Sequence, residues 1–134
     1  MIKTYSKGSR AERDLAHFLN DKGFATLRVP SSGGFLSPLD IVAIRKGLIF
    51  AFEVKSHKVK PRLRKEQLAA FTGWCRKAGA MGFVAWRRTE GSGDEILTAS
   101  NRWLFLRMED AEAGNYGDEN WIERDQLLRF FGVN

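Results

Sequence analysis

The stretch Asp40–Lys55, DIVAIRKGLIFAFEVK, constrains this chain more than any other. Two apolar runs flank Arg45-Lys46-Gly47, whose glycine can take positive φ, so the spacing predicts a β-hairpin with strands over Asp40–Ile44 and Leu48–Lys55. Arg45 can pair with Leu48 across a two-residue turn, or Ile44 with Ile49 across a four-residue one. Both give one register, which sets Asp40 opposite Glu53. The period of two then brings Lys55 onto the same face. Strands this apolar are buried on both sides, so two carboxylates at their end would repel and resist desolvation unless a cation lies between them. A divalent metal with Lys55 beside it meets that need. The competing reading is structural, with Asp40 as a turn residue and Glu53 paired to Lys55 at a fraying edge.

At 134 residues, with 43% hydrophobic and 28% charged residues, the chain is sized for one domain around one core. Cys75 alone excludes an intramolecular disulfide, and with only His17 and His57 beside it there is no ordinary structural zinc set. No apolar run reaches the ~20 residues of a membrane span, and the N-terminus lacks the apolar core of a secretory signal. The expectation is a cytoplasmic protein with no membrane partner. Charge is uneven along the chain: 20 of the 22 Lys and Arg but 9 of the 16 Asp and Glu lie in residues 1–108, and the segment from about 109 is acidic. A basic body with a pI near 9.8 points to a polyanion, nucleic acid before membrane.

Ser9-Arg10-Ala11-Glu12 has the capping-box spacing and predicts a helix from there to about Asp21, with Ala11, Leu15, Phe18 and Leu19 as its apolar stripe and Gly23 as its stop. Glu12 is then either the reciprocal partner of the cap or an acid turned toward the sheet. Phe24–Val29 reads as a strand with Ala25, Leu27 and Val29 on one face and Arg28 on the other. Pro30-Ser31-Ser32-Gly33-Gly34 breaks it. That loop is no phosphate-binding P-loop, because no Gly-Lys-Ser/Thr and no helix follow; it is a flexible approach to a nucleic-acid strand or a plain connector. No organic cofactor is implied. Beyond Lys55, the residues Lys58, Lys60, Arg62 and Arg64 recur at every second position and would line one side of an extended segment, either as a phosphate rail or as a solvated loop. A helix from Lys65 to about Lys77 carries Leu68, Phe71, Trp74 and Cys75 at helical spacing. Gly82–Trp86 and Trp103–Met108 read as strands, Glu109–Asn120 as acidic turns and Trp121–Phe131 as a closing helix. Gly91-Ser92-Gly93 lacks the spacing of a nucleophile elbow. The fold class is α/β, a central mixed β-sheet flanked by helices.

Four motifs now stand in order: Lys7-Gly8-Ser9-Arg10-Ala11-Glu12-Arg13, Arg28-Val29-Pro30-Ser31-Ser32-Gly33, Asp40-Ile41-Val42-Ala43 and Phe52-Glu53-Val54-Lys55. With them the chain resembles the archaeal-type Holliday junction resolvases of the PD-(D/E)xK nuclease superfamily. The likeness is dense over the first 55 residues. It departs in the longer loop Gly34–Leu39 and leaves the acidic segment after Met108 unmatched. It implies a single nuclease domain over residues 1–134 with a restriction-endonuclease-like core. It implies that Asp40, Glu53 and the Val54 carbonyl hold Mg²⁺, or Mn²⁺ in its place, and that Glu12 completes the acidic cluster directly or through water. Lys55 would position or activate the attacking water, with Arg13 as a second group offsetting transition-state charge. Arg28 and one of Ser31 and Ser32 would contact the scissile region, Ser32 within the catalytic set and Ser31 at the DNA. Lys7, Arg10, Arg28, Lys58, Lys60, Arg62 and Arg64 would meet the DNA backbone. The implied partners are four-way junction DNA and a second copy of the chain, in a homodimer that cuts opposing strands. Three alternatives stay open: another endonuclease of the superfamily acting on duplex, flap or damaged DNA, a non-catalytic DNA-binding module on the same fold, and a hydrolase of small phosphate esters.

Overall fold

The predicted hairpin forms and lies at the centre of the molecule. The computed structural model describes residues 2–30 and 37–133, with side chains from residue 8 onward. In chain order the elements are α1 (Ile2–Asp21), β1 (Ala25–Arg28), β2 (Ile41–Arg45), β3 (Leu48–His57), α2 (Lys65–Ala78), β4 (Met81–Arg88), β5 (Trp103–Arg107), α3 (Met108–Glu112), β6 (Ile122–Glu123) and α4 (Arg124–Phe130), with a 3-10 turn at Asp118–Asn120. The strands form one sheet in the order β1-β2-β3-β4-β5-β6. Only β3 and β4 run parallel among these neighbours; the other pairs are antiparallel. A parallel pair needs a crossover, and α2 supplies it.

The hairpin closes through the two-residue turn Lys46-Gly47, where both residues take positive φ, 52° and 84°. That is the turn whose twist matches the flanking strands. Arg45 pairs with Leu48 and Ile41 with Phe52, so Asp40 stands opposite Glu53 as the register requires. One face of the sheet packs against α1 and α4 through Ala11, Leu15, Leu19, Phe50, Phe52, Phe83, Phe105, Leu127 and Phe131. The rings of Phe24, Phe50, Phe83 and Phe131 meet mostly edge to face at 5.6–5.7 Å. On the other face α2 and α3 bury Phe71, Cys75 and Met108 against Ala51.

Two expectations need correcting. The first helix does not open at Ser9 but at Ile2, and Ser9 lies inside it. The Ser9 hydroxyl accepts from Arg13 Nη1 at 2.8 Å and Arg28 Nη2 at 3.1 Å; the capping-box spacing there serves a side-chain contact. In the edge strand β1, Leu27 is 65% exposed. The C-terminal segment is not a run of turns leading into a helix from Trp121. It contributes α3 and β6, and α4 begins only at Arg124. Its acids face outward while Ala111 and Trp121 pack on Val84, Trp86, Leu63 and Leu106.

Gly82 in β4 shows how tight the α2 face is. A Cβ there would stand 2.8 Å from Met108 Sδ and 2.9 Å from Cys75 Sγ. Gly82→Ala is therefore expected to destabilise by roughly 1–3 kcal/mol, the usual range for overpacking a core, read as a lower urea midpoint with an unchanged slope.

Candidate active site

Asp40 and Glu53 are buried, 5% and 6% exposed, in a sheet otherwise filled with apolar side chains. Asp40 is fixed first by its backbone. Its N–H donates to the Phe52 carbonyl at 2.9 Å, and its own carbonyl accepts from Val29 at 2.8 Å. Asp40 Oδ2 then accepts the Val54 N–H at 2.7 Å, which ties the acid to the residue between Glu53 and Lys55. Lys55 Nζ lies 3.5 Å from Glu53 Oε2, on the predicted face. Gln67 of α2 donates to the same Oε2 at 2.6 Å.

Glu12 approaches from α1 and is the third acid of the group. Its Oε1 accepts Arg28 Nη2 at 3.2 Å, so Arg28 holds Ser9 and Glu12 together at the mouth. Burial and the neighbouring Asp40 raise the Glu12 carboxyl, partly offset by Arg28 and Arg13. The same two causes, burial first and then Asp40, push Glu53 up to about 7, against the pull of Lys55. Without a cation the cluster therefore keeps a proton near neutral pH. Among the described residues no three His, Cys, Asp or Glu side chains form a ready-made metal cage. A hard divalent ion such as Mg²⁺ is held by one or two carboxylates and keeps several of its waters. The donor set and its raised carboxyls fit such an ion. Cys75 is not a competing nucleophile: it is fully buried, and its thiol is pushed up to about 12 by that burial and by Glu109.

Asp40, Glu53, Lys55 and Glu12 are thus brought together, with Arg13 and Arg28 at the edge. Arg10 sits exposed on α1. Ser31 and Ser32 lie outside the described residues, as does the side chain of Lys7. The basic tract is not one extended rail: the chain bends at Lys58-Val59, where Val59 is 71% exposed, and Lys60 is half-buried; only from Pro61 on do buried Pro61 and Leu63 alternate with exposed Arg62 and Arg64. Its cations already have partners: Lys58 faces Glu90 at 3.7 Å, Lys60 pairs with Asp118, and the Arg62 guanidinium stacks 4.3 Å over the Tyr116 ring. Sequence reasoning missed Gln67. Its signal was a polar residue at the 67, 71, 74, 78 positions of α2, the side that carries Phe71 and Trp74 toward the sheet.

A mixed sheet flanked by helices, with two opposed acids and a lysine on its central hairpin, defines a restriction-endonuclease-like core. The chain belongs to the archaeal Holliday junction resolvase (Hjc) family, whose model matches residues 3–128. It is 31% identical to the crossover junction endodeoxyribonuclease Hjc of Sulfolobus acidocaldarius, over 93% of this chain and 88% of that one. It is 31% identical also to the enzyme of the same name from Sulfurisphaera tokodaii, over 97% and 91%. The solved structure of Archaeoglobus fulgidus Hjc, a Holliday junction resolvase from an archaeal hyperthermophile, superposes with a TM-score of 0.60 at 31% identity, covering 77% of this chain and 74% of that one. The match reaches well past Met108, so the acidic C-terminal segment belongs to the family pattern, whereas the resemblance from sequence had left it unmatched.

The raised Glu53 carboxyl gives a pH signature. Between about 4.5 and about 7 the folded state binds this proton and the unfolded chain does not, so metal-free stability from this group falls as pH rises through that window. A cation that displaces the proton binds more tightly as pH rises. The gain in melting temperature from saturating Mg²⁺ should be larger at pH 8 than at pH 6 and absent in Asp40→Asn; an equal gain in that variant would place the ion elsewhere.

Proposed function

We propose that this chain is a Mg²⁺-dependent endodeoxyribonuclease that resolves four-way junctions by paired, symmetric phosphodiester hydrolysis, working as one nuclease domain within a homodimer. The observation that carries the reading is the register-fixed trio of Asp40, Glu53 and Lys55, with Glu12 beside it. Asp40, Glu53 and the Val54 carbonyl would hold the ion, with Glu12 reaching it directly or through a water. When bound, Mg²⁺ or Mn²⁺ supplies positive charge at the scissile phosphate and lowers the pKa of a coordinated water. Lys55 orients the attacking water and meets charge developing on phosphorus, and Arg13 lies at the mouth for the same purpose. Arg28, already held by Glu12 and Ser9, faces the strand near the cut, together with Ser31 or Ser32. Lys7, Arg10 and the Lys58, Lys60, Arg62 and Arg64 tract take phosphates, so shape rather than base sequence selects the substrate. One site cuts one strand, and two related cuts in opposing strands require two copies related by a two-fold axis.

The test is a labelled four-way junction beside a linear duplex of the same sequence, with Mg²⁺ and with EDTA. Paired symmetric cuts on the junction, lost with EDTA, are expected. Asp40→Asn and Glu53→Gln should lower the rate by roughly 100-fold or more, since several kcal/mol of charge stabilisation goes with the ion, while junction binding survives. Equal cutting of the linear duplex would remove the junction preference, and binding without any cutting would leave a binding module. Lys58→Ala or Arg62→Ala should weaken binding of all DNA forms alike and reduce the slope of log affinity against log salt by about 1.

A further inference from the structure

We propose that Gln67 is a positioning residue for Glu53: its amide, closer to Oε2 than the paired Lys55 ammonium, fixes the carboxylate in the orientation that receives the divalent cation. The inference rests on the metal-site reading above. A Glu carboxylate turns in a broad, two-fold torsional well, so its rotation is set by whatever holds its oxygens. Here Oε2 accepts the Gln67 amide at 2.6 Å, while the Lys55 ammonium stands back at 3.5 Å. With one oxygen held by a donor on α2, the other is directed consistently.

The residue type matters. A lysine or arginine at position 67 would neutralise Glu53 and compete with the cation; an amide donates to the ionised form without bringing charge. Hydrogen bonds to an ionised acceptor are about twice as strong as neutral ones, and this one joins a half-buried amide to a carboxylate that is 6% exposed. Fixing a glutamine costs side-chain entropy, so an apolar residue would be the ordinary occupant of this side of α2, beside Phe71 and Cys75. The contact with Glu53 accounts for the exception. If Gln67 is removed, Oε2 is left to Lys55 alone. The ammonium then closes on Glu53, turning the carboxylate and drawing the lysine from the position where it can meet a phosphate.

The measurement is Mn²⁺ binding to the DNA-free protein, followed by electron paramagnetic resonance of free Mn²⁺, for wild type, Gln67→Met, Gln67→Ala and Asp40→Asn. Junction affinity in EDTA and single-turnover cleavage across a range of Mn²⁺ concentrations accompany it. Both Gln67 variants should bind Mn²⁺ about 10-fold or more weakly, as is usual when the partner of a metal ligand is lost. Their cleavage should require correspondingly more Mn²⁺ and recover as it is raised, with junction affinity unchanged. A merely structural role would give neither the metal rescue nor the preserved junction binding. Wild-type Mn²⁺ affinity and metal dependence in Gln67→Met would overturn the inference, and so would a loss of junction affinity with metal dependence unchanged. If wild type bound Mn²⁺ no better than Asp40→Asn, the metal-site reading would fail and this inference with it.

Discussion

The hydrogen bond from the Val54 N–H to Asp40 Oδ2 is the constraint on which the site depends. Asp40 precedes β2, where a chain could easily stray, yet it is held by its own N–H, by its carbonyl and by this side-chain contact. These tie it to β3 and to Val29, just past β1. The Lys46-Gly47 turn closes the far end of the same hairpin, so its register is fixed at both ends. A slip of one residue would carry Glu53 and Lys55 to the opposite face, and the acids would no longer meet. The chemistry of the chain is in this sense a property of strand register.

Holding Asp40 and Glu53 together in the sheet core, with Glu12 half-buried beside them, is unfavourable, and the fold's own cations relieve it only in part. Arg28 is engaged by Ser9 and Glu12 at the mouth, Lys55 stays at 3.5 Å, and the short contact to Glu53 comes from a neutral amide. The result shows in the raised Glu53 and Glu12 carboxyls. A site closed by an internal arginine would be more stable and would have no appetite for a divalent ion. The strain is tolerated because the hairpin is anchored elsewhere. Phe50 and Phe52 of β3 sit in the aromatic cluster with Phe24, Phe83, Phe105 and Phe131, away from the charges.

The hairpin and its acids could be read from sequence because a period of two and a glycine turn leave a single register. The limits of α1 could not. Ser9 and Glu12 satisfy a local capping pattern, but the Ser9 hydroxyl is taken by Arg28, 19 residues away, and nothing local announces that. Alternation says which residues share a face, whereas strand order decides whether that face is covered, as at Leu27 in the edge strand β1. Gln67 showed only that it lies on the inward side of α2; its partner is set by the parallel crossover. In the C-terminal segment the apolar anchors Met108, Ala111 and Trp121 fit no single period, so the surrounding acids dominated the reading.

That segment also changes what the charge pattern means. Along the chain, a basic body is followed by an acidic stretch; in space, the two interleave. Asp118 of that segment stands at Lys60 and Tyr116 lies under Arg62. Exposed ion pairs of this kind contribute about 0–1 kcal/mol, too little to hold a side chain against a phosphate of a highly charged polymer. They are enough to order long side chains that would otherwise sample many rotamers. Pro61 and Leu63, buried beneath, fix the backbone of the tract independently. A polyanion would therefore meet cations whose spacing is already set. The acidic segment and the basic tract thus order each other's side chains at Lys60 and Arg62.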